Sequence, residues 1–346
     1  MTARRDAPSV KGVRGGTWRH VPVLLPQVLQ ALAPTGREAY IDGTFGAGGY
    51  SAAILEAAAE ARVLAIDRDP VALAAGRALA GQYPGRLTLS EGRFGDLDQI
   101  AEANGFAPAE GVVLDIGVSS MQLDDPARGF SFQQDGPLDM RMSRSGPSAA
   151  DVVNSAEESH LADILYHLGE ERSARGIARA IVRRRAETPF ATTGELAALA
   201  ARVLGREKIA GRHAATRTFQ ALRIYVNDEL GELARGLSAA ERVLAPGGRL
   251  VVVTFHSLED GLLKHFLRER AMPEPRGSRH LPPGPAALRQ PSFRLDNPRP
   301  ISPTQTEIDA NPRARSAKLR VAIRTQAPAW PDDSGDLGFP RLPEAP

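Results

Sequence analysis

Four short apolar runs in the first 120 residues, Ala39-Tyr-Ile-Asp42, Val63-Leu-Ala-Ile-Asp67, Leu87-Thr-Leu-Ser90 and Val112-Val-Leu-Asp115, each end on an acidic or polar side chain, and helical stretches separate them. Short apolar strands alternating with helices predict an α/β fold whose mainly parallel sheet is covered on both faces. A fifth run, Leu250-Val-Val-Val-Thr-Phe255, follows the turn Pro246-Gly247-Gly248, and Lys318-Leu-Arg-Val-Ala-Ile-Arg-Thr325 alternates basic and apolar side chains as a half-buried strand does. The region between the fourth and fifth runs is helical. Ser155 with Glu158 and Thr192 with Glu195 have capping-box spacing, and Phe219, Leu222, Val226, Leu230, Leu233 and Leu237 form one apolar face of a single long helix. The pattern divides the chain into a flexible arm over 1–20, a sheet domain over 21–138 and 216–325, a helical insertion over 139–215, and a disordered Pro-rich tail over 326–346. Fifteen of the 27 prolines fall after residue 271, which makes the last quarter mostly irregular.

Composition narrows the chemistry. Hydrophobic residues at 42% and charged residues at 24% can build a sizeable core. No span approaches the roughly twenty apolar residues of a membrane helix, and residues 1–11 lack the apolar stretch of a secretory signal, so the cytoplasm is the expected location. The chain has no cysteine, which excludes disulfides, thiolate metal sites and thiol nucleophiles. Net charge is only +2, but it is unevenly spread: from Glu171 to Arg223 there are 12 basic and 4 acidic residues, and from Lys264 to Arg324 there are 13 and 5, so each stretch carries +8.

Asp42-Gly-Thr-Phe-Gly46-Ala-Gly48-Gly49-Tyr50-Ser51 runs from the end of the first strand into an Ala-rich helix over 52–61. Glycines at that junction let backbone approach a ligand closely, and Asp67 at the end of the next strand can accept both hydroxyls of a ribose. No Lys-Ser/Thr pair follows the glycines, so a triphosphate loop is disfavoured. A nicotinamide dinucleotide and S-adenosylmethionine both remain open. The acidic Asp42 ahead of the loop would repel a pyrophosphate and suits a sulfonium, which favours the methyl donor.

His20-Val-Pro-Val-Leu-Leu, Tyr40-Ile-Asp-Gly-Thr-Phe-Gly, Ala65-Ile-Asp-Arg-Asp-Pro70, Leu114-Asp-Ile-Gly-Val-Ser-Ser120, Gln122-Leu-Asp-Asp125, Arg128-Gly-Phe-Ser-Phe132 and Asp135-Gly-Pro-Leu-Asp-Met-Arg-Met142 occur in that order. Gly169-Glu-Glu-Arg172, Ala215-Thr-Arg-Thr-Phe-Gln-Ala221, Leu244-Ala-Pro-Gly-Gly248, Phe255-His-Ser-Leu-Glu-Asp260 and Asn311-Pro-Arg-Ala-Arg-Ser316 follow. Together they closely resemble the bacterial ribosomal RNA small subunit methyltransferase H family, over about residues 20–325. The resemblance implies a class I S-adenosylmethionine-dependent methyltransferase sheet with a helical substrate-recognition insertion. It also implies methylation of the exocyclic N4 of one cytosine of 16S rRNA near the decoding centre. Carried over by position, it implies cofactor contacts at Gly48, Gly49, Tyr50, Asp67, Phe94, Asp115 and Gln122. Tyr50 departs from the pattern, since many members have His there.

The missing cysteine is an independent check on reaction type. Methylating C5 of a pyrimidine normally needs a thiol to add to C6, whereas an exocyclic amine needs only alignment with the methyl group, hydrogen-bond acceptors and a route for one proton. The Asn/Asp-Pro-Pro-Tyr/Phe run of other amino-methyltransferases is absent, and Asp115-Ile-Gly-Val-Ser-Ser120 stands in its place. Asp115 has two readings, as acceptor for the amine or as cofactor ligand, and the resemblance favours the second. Asp139 is a further catalytic candidate, with a pairing to Arg141 or Arg144 as its structural alternative. His256 reads as a general base or as a strand-end histidine ordering its loop through Glu259 or Asp260. The seven histidines show no close metal-binding pair, so no metal is expected. Arg172, Arg175, Arg179 and Arg183 step by three and four along one side of a helix, as an RNA phosphate backbone would require, although such a stripe can also be a solvated face. A non-catalytic RNA-binding factor that kept a cofactor pocket is the remaining alternative from a different class.

Overall fold

The computed structural model describes residues 22–36, 38–205, 207–209, 212–272, 289–331 and 342. The arm expected over 1–20 lies outside them, as do residues 332–341 and 343–346 of the expected tail. The first half runs α1 (Leu25–Leu32), β1 (Ala39–Asp42), α2 (Gly49–Ala57), β2 (Arg62–Asp67), α3 (Pro70–Gln82), β3 (Leu87–Glu91), α4 (Leu97–Ala103), β4 (Ala109–Asp115) and α5 (Ser120–Asp124). Helices α6 (Ala149–Ser155), α7 (Glu158–His167), α8 (Ala174–Arg185) and α9 (Thr193–Leu204) follow, then a two-residue hairpin of β5 (Lys208–Ile209) and β6 (Arg212–His213). The chain ends with α10 (Thr216–Asn227), α11 (Glu229–Val243), β7 (Leu244–Thr254), α12 (Ser257–Ala271), β8 (Phe293–Arg294), α13 (Gln305–Ala310) and β9 (Lys318–Arg324).

Seven strands form one sheet in the order β3-β2-β1-β4-β7-β9-β8. The pairs from β3 through β7 are parallel, and β9 runs antiparallel to β7 and to β8. Every residue of β1 is buried, as a strand covered on both faces requires. Strand order reverses between β1 and β4, so the crevice beyond their carboxyl ends is where this architecture binds ligands. One apolar core joins α4, α11 and α12 on one sheet face to α6–α10, and a second holds α1 and α2 against the other face.

Several local expectations change. The helix expected over 52–61 begins at Gly49, with Gly48 as its left-handed N-cap, and ends at Ala57. Ser155 ends α6 instead of starting α7; the capping box belongs to Ser148 and Asp151, while the Thr192–Glu195 box does start α9. The single long helix is two, broken at Asp228, whose backbone is left-handed with φ 48°. The Pro246-Gly247-Gly248 turn is looped out of β7, where pairing steps from Ala109↔Leu244 to Gly111↔Arg249. Residues 326–331 of the expected disordered tail are docked: Trp330 Nε1 donates to the Gln290 carbonyl at 2.9 Å, and Trp330 N to Glu241 Oε1 at 2.9 Å.

Asn227, at the end of α10, fastens the segment that leads into α6. Its Nδ2 donates to the carbonyls of Met140 (2.7 Å) and Arg223 (2.9 Å), and its Oδ1 accepts from Met142 N at 2.9 Å. Asn227→Ala takes these partners from Met142 N and the Met140 carbonyl, both buried, and should cost roughly 1–3 kcal/mol, read as a lower urea midpoint with an unchanged m-value.

Candidate functional site

The loop after β1 is held from below by carboxylates. Asp42, fully buried, accepts from Ser51 Oγ at 2.7 Å and from Thr44 N at 3.2 Å, and burial lifts its pKa to about 6 against those hydrogen bonds. It therefore faces the underside of the loop and not a ligand, contrary to the electrostatic role read from sequence. Asp67 accepts from Gly46 N at 2.7 Å and from Asp69 N at 2.8 Å, one bond on each oxygen, which leaves further lone pairs for hydroxyl donors. Burial raises its pKa, outweighing the two amide bonds.

A cavity of about 780 Å³ opens above this edge, lined by Gly49, Tyr50, Asp67, Phe94, Asp115 and Gln122 among others. That volume is ordinary for a small-molecule site. Gly48 is not in the lining: with φ 80°, a Cβ there would come within 2.8 Å of the Phe45 ring, so its glycine serves the loop's own packing. Gly49 does reach the cavity, and a Cβ on it would meet Pro22 at 2.2 Å. The Tyr50 hydroxyl donates to the Val23 carbonyl and is committed there, so Tyr50 offers the cavity only its wall. Gln122 donates to Asp69 Oδ2 at 2.8 Å and accepts from Ser119 N at 3.1 Å, a pair of bonds that fixes the start of α5.

Asp115 closes β4. Its amide donates to Thr44 Oγ1 at 2.7 Å, yet its Oδ1 is buried without a hydrogen-bond partner among the described residues. Burial, and then the negative charges of Asp42 and Glu259, push its pKa to about 8. An orphaned acid on a cavity wall fits a ligand that brings a cation or hydrogen-bond donors. Elsewhere on the wall Arg223 grips Glu229 through two 2.8 Å bonds, and both line the cavity.

A family model described as the MraW methylase family matches residues 17–325. The chain belongs to that family. It is 57% identical over 329 residues to the ribosomal RNA small subunit methyltransferase H of Hyphomonas neptunium, covering 94% of both chains. The protein of that name from Methylorubrum populi is 60% identical over 325 residues, covering 94% of this chain and 92% of its own. The Azorhizobium caulinodans protein of that name is 59% identical over 325 residues, covering 93% and 91%. The fold is that of a class I S-adenosylmethionine-dependent methyltransferase, and S-adenosylmethionine is the family's methyl donor, which sets the nicotinamide reading aside.

The structure separates the other candidates. Asp139 lies outside the cavity lining; its carboxylate is taken up by Arg141, through Nε at 3.0 Å and Nη2 at 2.6 Å, and these bonds hold its pKa low although burial opposes them. It is the structural partner of Arg141 and has no contact with the site. His256 caps α12: its Nδ1 accepts from Glu259 N at 3.4 Å, and its Nε2 lies 2.8 Å from Glu259 Oε1. Glu229, His256 and Glu259 offer ligand atoms close to one another, and His256 Nε2 and Glu259 Oε1, 2.8 Å apart, are both buried without a hydrogen-bond partner among the described residues. The arginine stripe is exposed: Arg175, Arg179 and Arg183 lie on α8, Arg172 just before it, and Ile177, Ala178 and Ile181 are buried beneath. Arg179 is 3.6 Å from Glu158, and Arg185 donates to the Val153 carbonyl. Sequence reading missed Arg223, Glu229, Glu232, Asn311 and Arg313 in the cavity wall. Asn311 and Arg313 stood within a motif that carried the family resemblance and went unassigned.

Asp115 titrates higher in the folded chain than its ordinary value of 3.8, so the native state holds an extra proton between about pH 4 and 8 and loses stability as pH rises through that window. Asp115→Asn removes the proton from both states. Urea midpoints measured without cofactor between pH 5 and 8 should fall less in the variant than in the wild type; equal slopes would show that the carboxyl titrates normally.

Proposed function

We propose that this protein transfers the methyl group of S-adenosylmethionine to the exocyclic N4 of one cytosine of 16S rRNA, near the decoding centre of the small ribosomal subunit. The observation that carries the reading is the uncommitted Asp115 carboxyl, set in the cavity wall where β4 ends beside the glycine loop. The names of the relatives, ribosomal RNA small subunit methyltransferase H, supply the substrate class. The helical segment 139–215 is read as the RNA-recognition insertion, acting on the small subunit or its precursor in the cytoplasm and without a catalytic metal. Among the described residues no helix is long and apolar enough to cross a membrane.

When bound, S-adenosylmethionine supplies an electrophilic methyl group on a sulfonium. Asp67 holds the ribose through its free lone pairs, Gly49 lets the backbone approach closely, and Phe94 and Tyr50 form apolar wall. Asp115 Oδ1 accepts a hydrogen bond from the cytosine amine or from the cofactor's cationic end, and in either role it helps align the attacking nitrogen. Binding energy from the arginines of α8 orients the base, as remote contacts do in large substrates.

Nucleosides from small-subunit RNA, analysed by mass spectrometry after incubation with enzyme and S-adenosylmethionine, should contain N4-methylcytidine. Finding 5-methylcytidine or a methylated purine instead would overturn both substrate and mechanism. Replacing Arg175, Arg179 and Arg183 together by Gln should weaken RNA binding and lower its log–log salt slope by about 0.7–0.9 for each phosphate no longer neutralised, with cofactor affinity unchanged. An identical slope would make the stripe a solvated face.

A further inference from the structure

One wall of the cavity holds an acceptor that the protein leaves unserved. Glu232, on α11, is 1% exposed and belongs to the lining. Its Oε2 takes a charged hydrogen bond from Arg68 Nη1, with Arg93 Nη1 at 3.9 Å, but its Oε1 is buried and has no hydrogen-bond partner among the described residues. Arg68 is itself held by the Asn227 carbonyl at 3.0 Å and Met142 Sδ at 2.9 Å, so the carboxylate is fixed in direction. A buried acceptor without a donor is costly and is rarely left so unless a ligand completes it. Burial raises the pKa of Glu232 in spite of Arg68, consistent with one oxygen lacking a donor.

The strand order says which part of a ligand reaches it. Along the carboxyl edge stand Phe94 after β3, Asp67 at the end of β2, the glycine loop after β1 and Asp115 at the end of β4. A nucleoside whose ribose is held at Asp67 must extend its base to one side and its sulfur chain to the other. Transfer takes place on the Asp115 side, so the base lies towards Phe94. Glu232 is on that side too, held by the residue after Asp67, with its Cγ 3.5 Å from where a Cβ on Gly95 would be. Adenine presents one strong donor at its edge, the exocyclic amine.

We propose that Glu232 Oε1 accepts a hydrogen bond from the exocyclic amine of the methyl donor's adenine, which makes Glu232 the residue that selects adenine. The proposal rests on the reading of the cavity as the S-adenosylmethionine site. It assigns base selectivity to a helix that sequence reading left without a role, and it gives the Arg68–Glu232 pair a function beyond joining β2 to α11.

The test is a cycle of calorimetric titrations with S-adenosylhomocysteine and its 6-deamino analogue, which carries purine in place of adenine and lacks only the amine. The wild type should lose roughly tenfold to a hundredfold in affinity on deletion of the amine. In Glu232→Gln, Arg68 and Arg93 hold the amide oxygen and the NH2 faces the ligand, so the two ligands should bind almost equally. Glu232→Asp, which keeps the charge on Arg68 but withdraws the carboxylate by one methylene, should give an intermediate ratio and serves if the Gln variant does not fold. A wild-type ratio in the variants, or a wild type indifferent to the amine, overturns the assignment. A wild type that binds neither ligand overturns the cofactor reading itself, a separate result, because the amine contact is tested only once S-adenosylhomocysteine binds.

Discussion

The site depends on carboxylates that hold the glycine loop at the ends of adjacent strands. Asp42 accepts from Thr44 N and Ser51 Oγ from beneath, and Asp67 accepts from Gly46 N at the side. A loop with glycines at 43, 46, 48 and 49 has large conformational freedom when unfolded, and these few charged acceptors, buried by the sheet, fix where its backbone lies. Their raised pKa values have the same origin, since the desolvation that strengthens each hydrogen bond also penalises the charge. The loop in turn sets Thr44, whose hydroxyl accepts from the Asp115 amide, so one side chain carries the β1–β4 ladder on to the last residue of β4.

Arg68 and Asn227 perform the corresponding task between the sheet and the helical region. The Arg68 guanidinium reaches Glu232, the Asn227 carbonyl and Met142, and the Asn227 amide reaches Met140 and Met142. The segment that leaves the sheet domain towards α6 is thereby tied to the helix pair α10–α11 and to the strand that carries Asp67. The cavity and the helical region α6–α9 share a joint made of hydrogen bonds, and one continuous apolar core runs beneath it.

The strands were readable because a strand buried on both faces has to be apolar throughout, and β1, β2 and β4 carry little else. Asp67 and Asp115 stand out because each closes an apolar run, but so does Asp42, and only the structure shows that Asp42 turns beneath the loop while the other two line the cavity. Other features were hidden. The box at Ser148 uses Asp151, a shorter acid than the usual Glu or Gln, while Ser155 and Glu158 have the right spacing only because one helix ends where the next begins. Tyr50 and Gln122 line the cavity, but their polar atoms are taken by Val23, Asp69 and Ser119, and spacing along a chain carries no information about such partners. Glu232 gave no signal because a Glu on an amphipathic helix normally faces water, and only the tertiary packing buries it.

The left-handed residue at Asp228 decides which side chains of α10 and α11 can meet. In an unbroken helix each residue advances by about 100°, so positions 223 and 229 would be about 120° apart around the axis and could not form a two-pronged contact. Reversing the backbone at a single residue turns the second segment so that the Arg223 guanidinium and the Glu229 carboxylate close on each other in the cavity wall. The apolar positions run on through the sequence across the break, so what looks like one uninterrupted stripe is an elbow, and Arg223 and Glu229 on either side of it line the cavity.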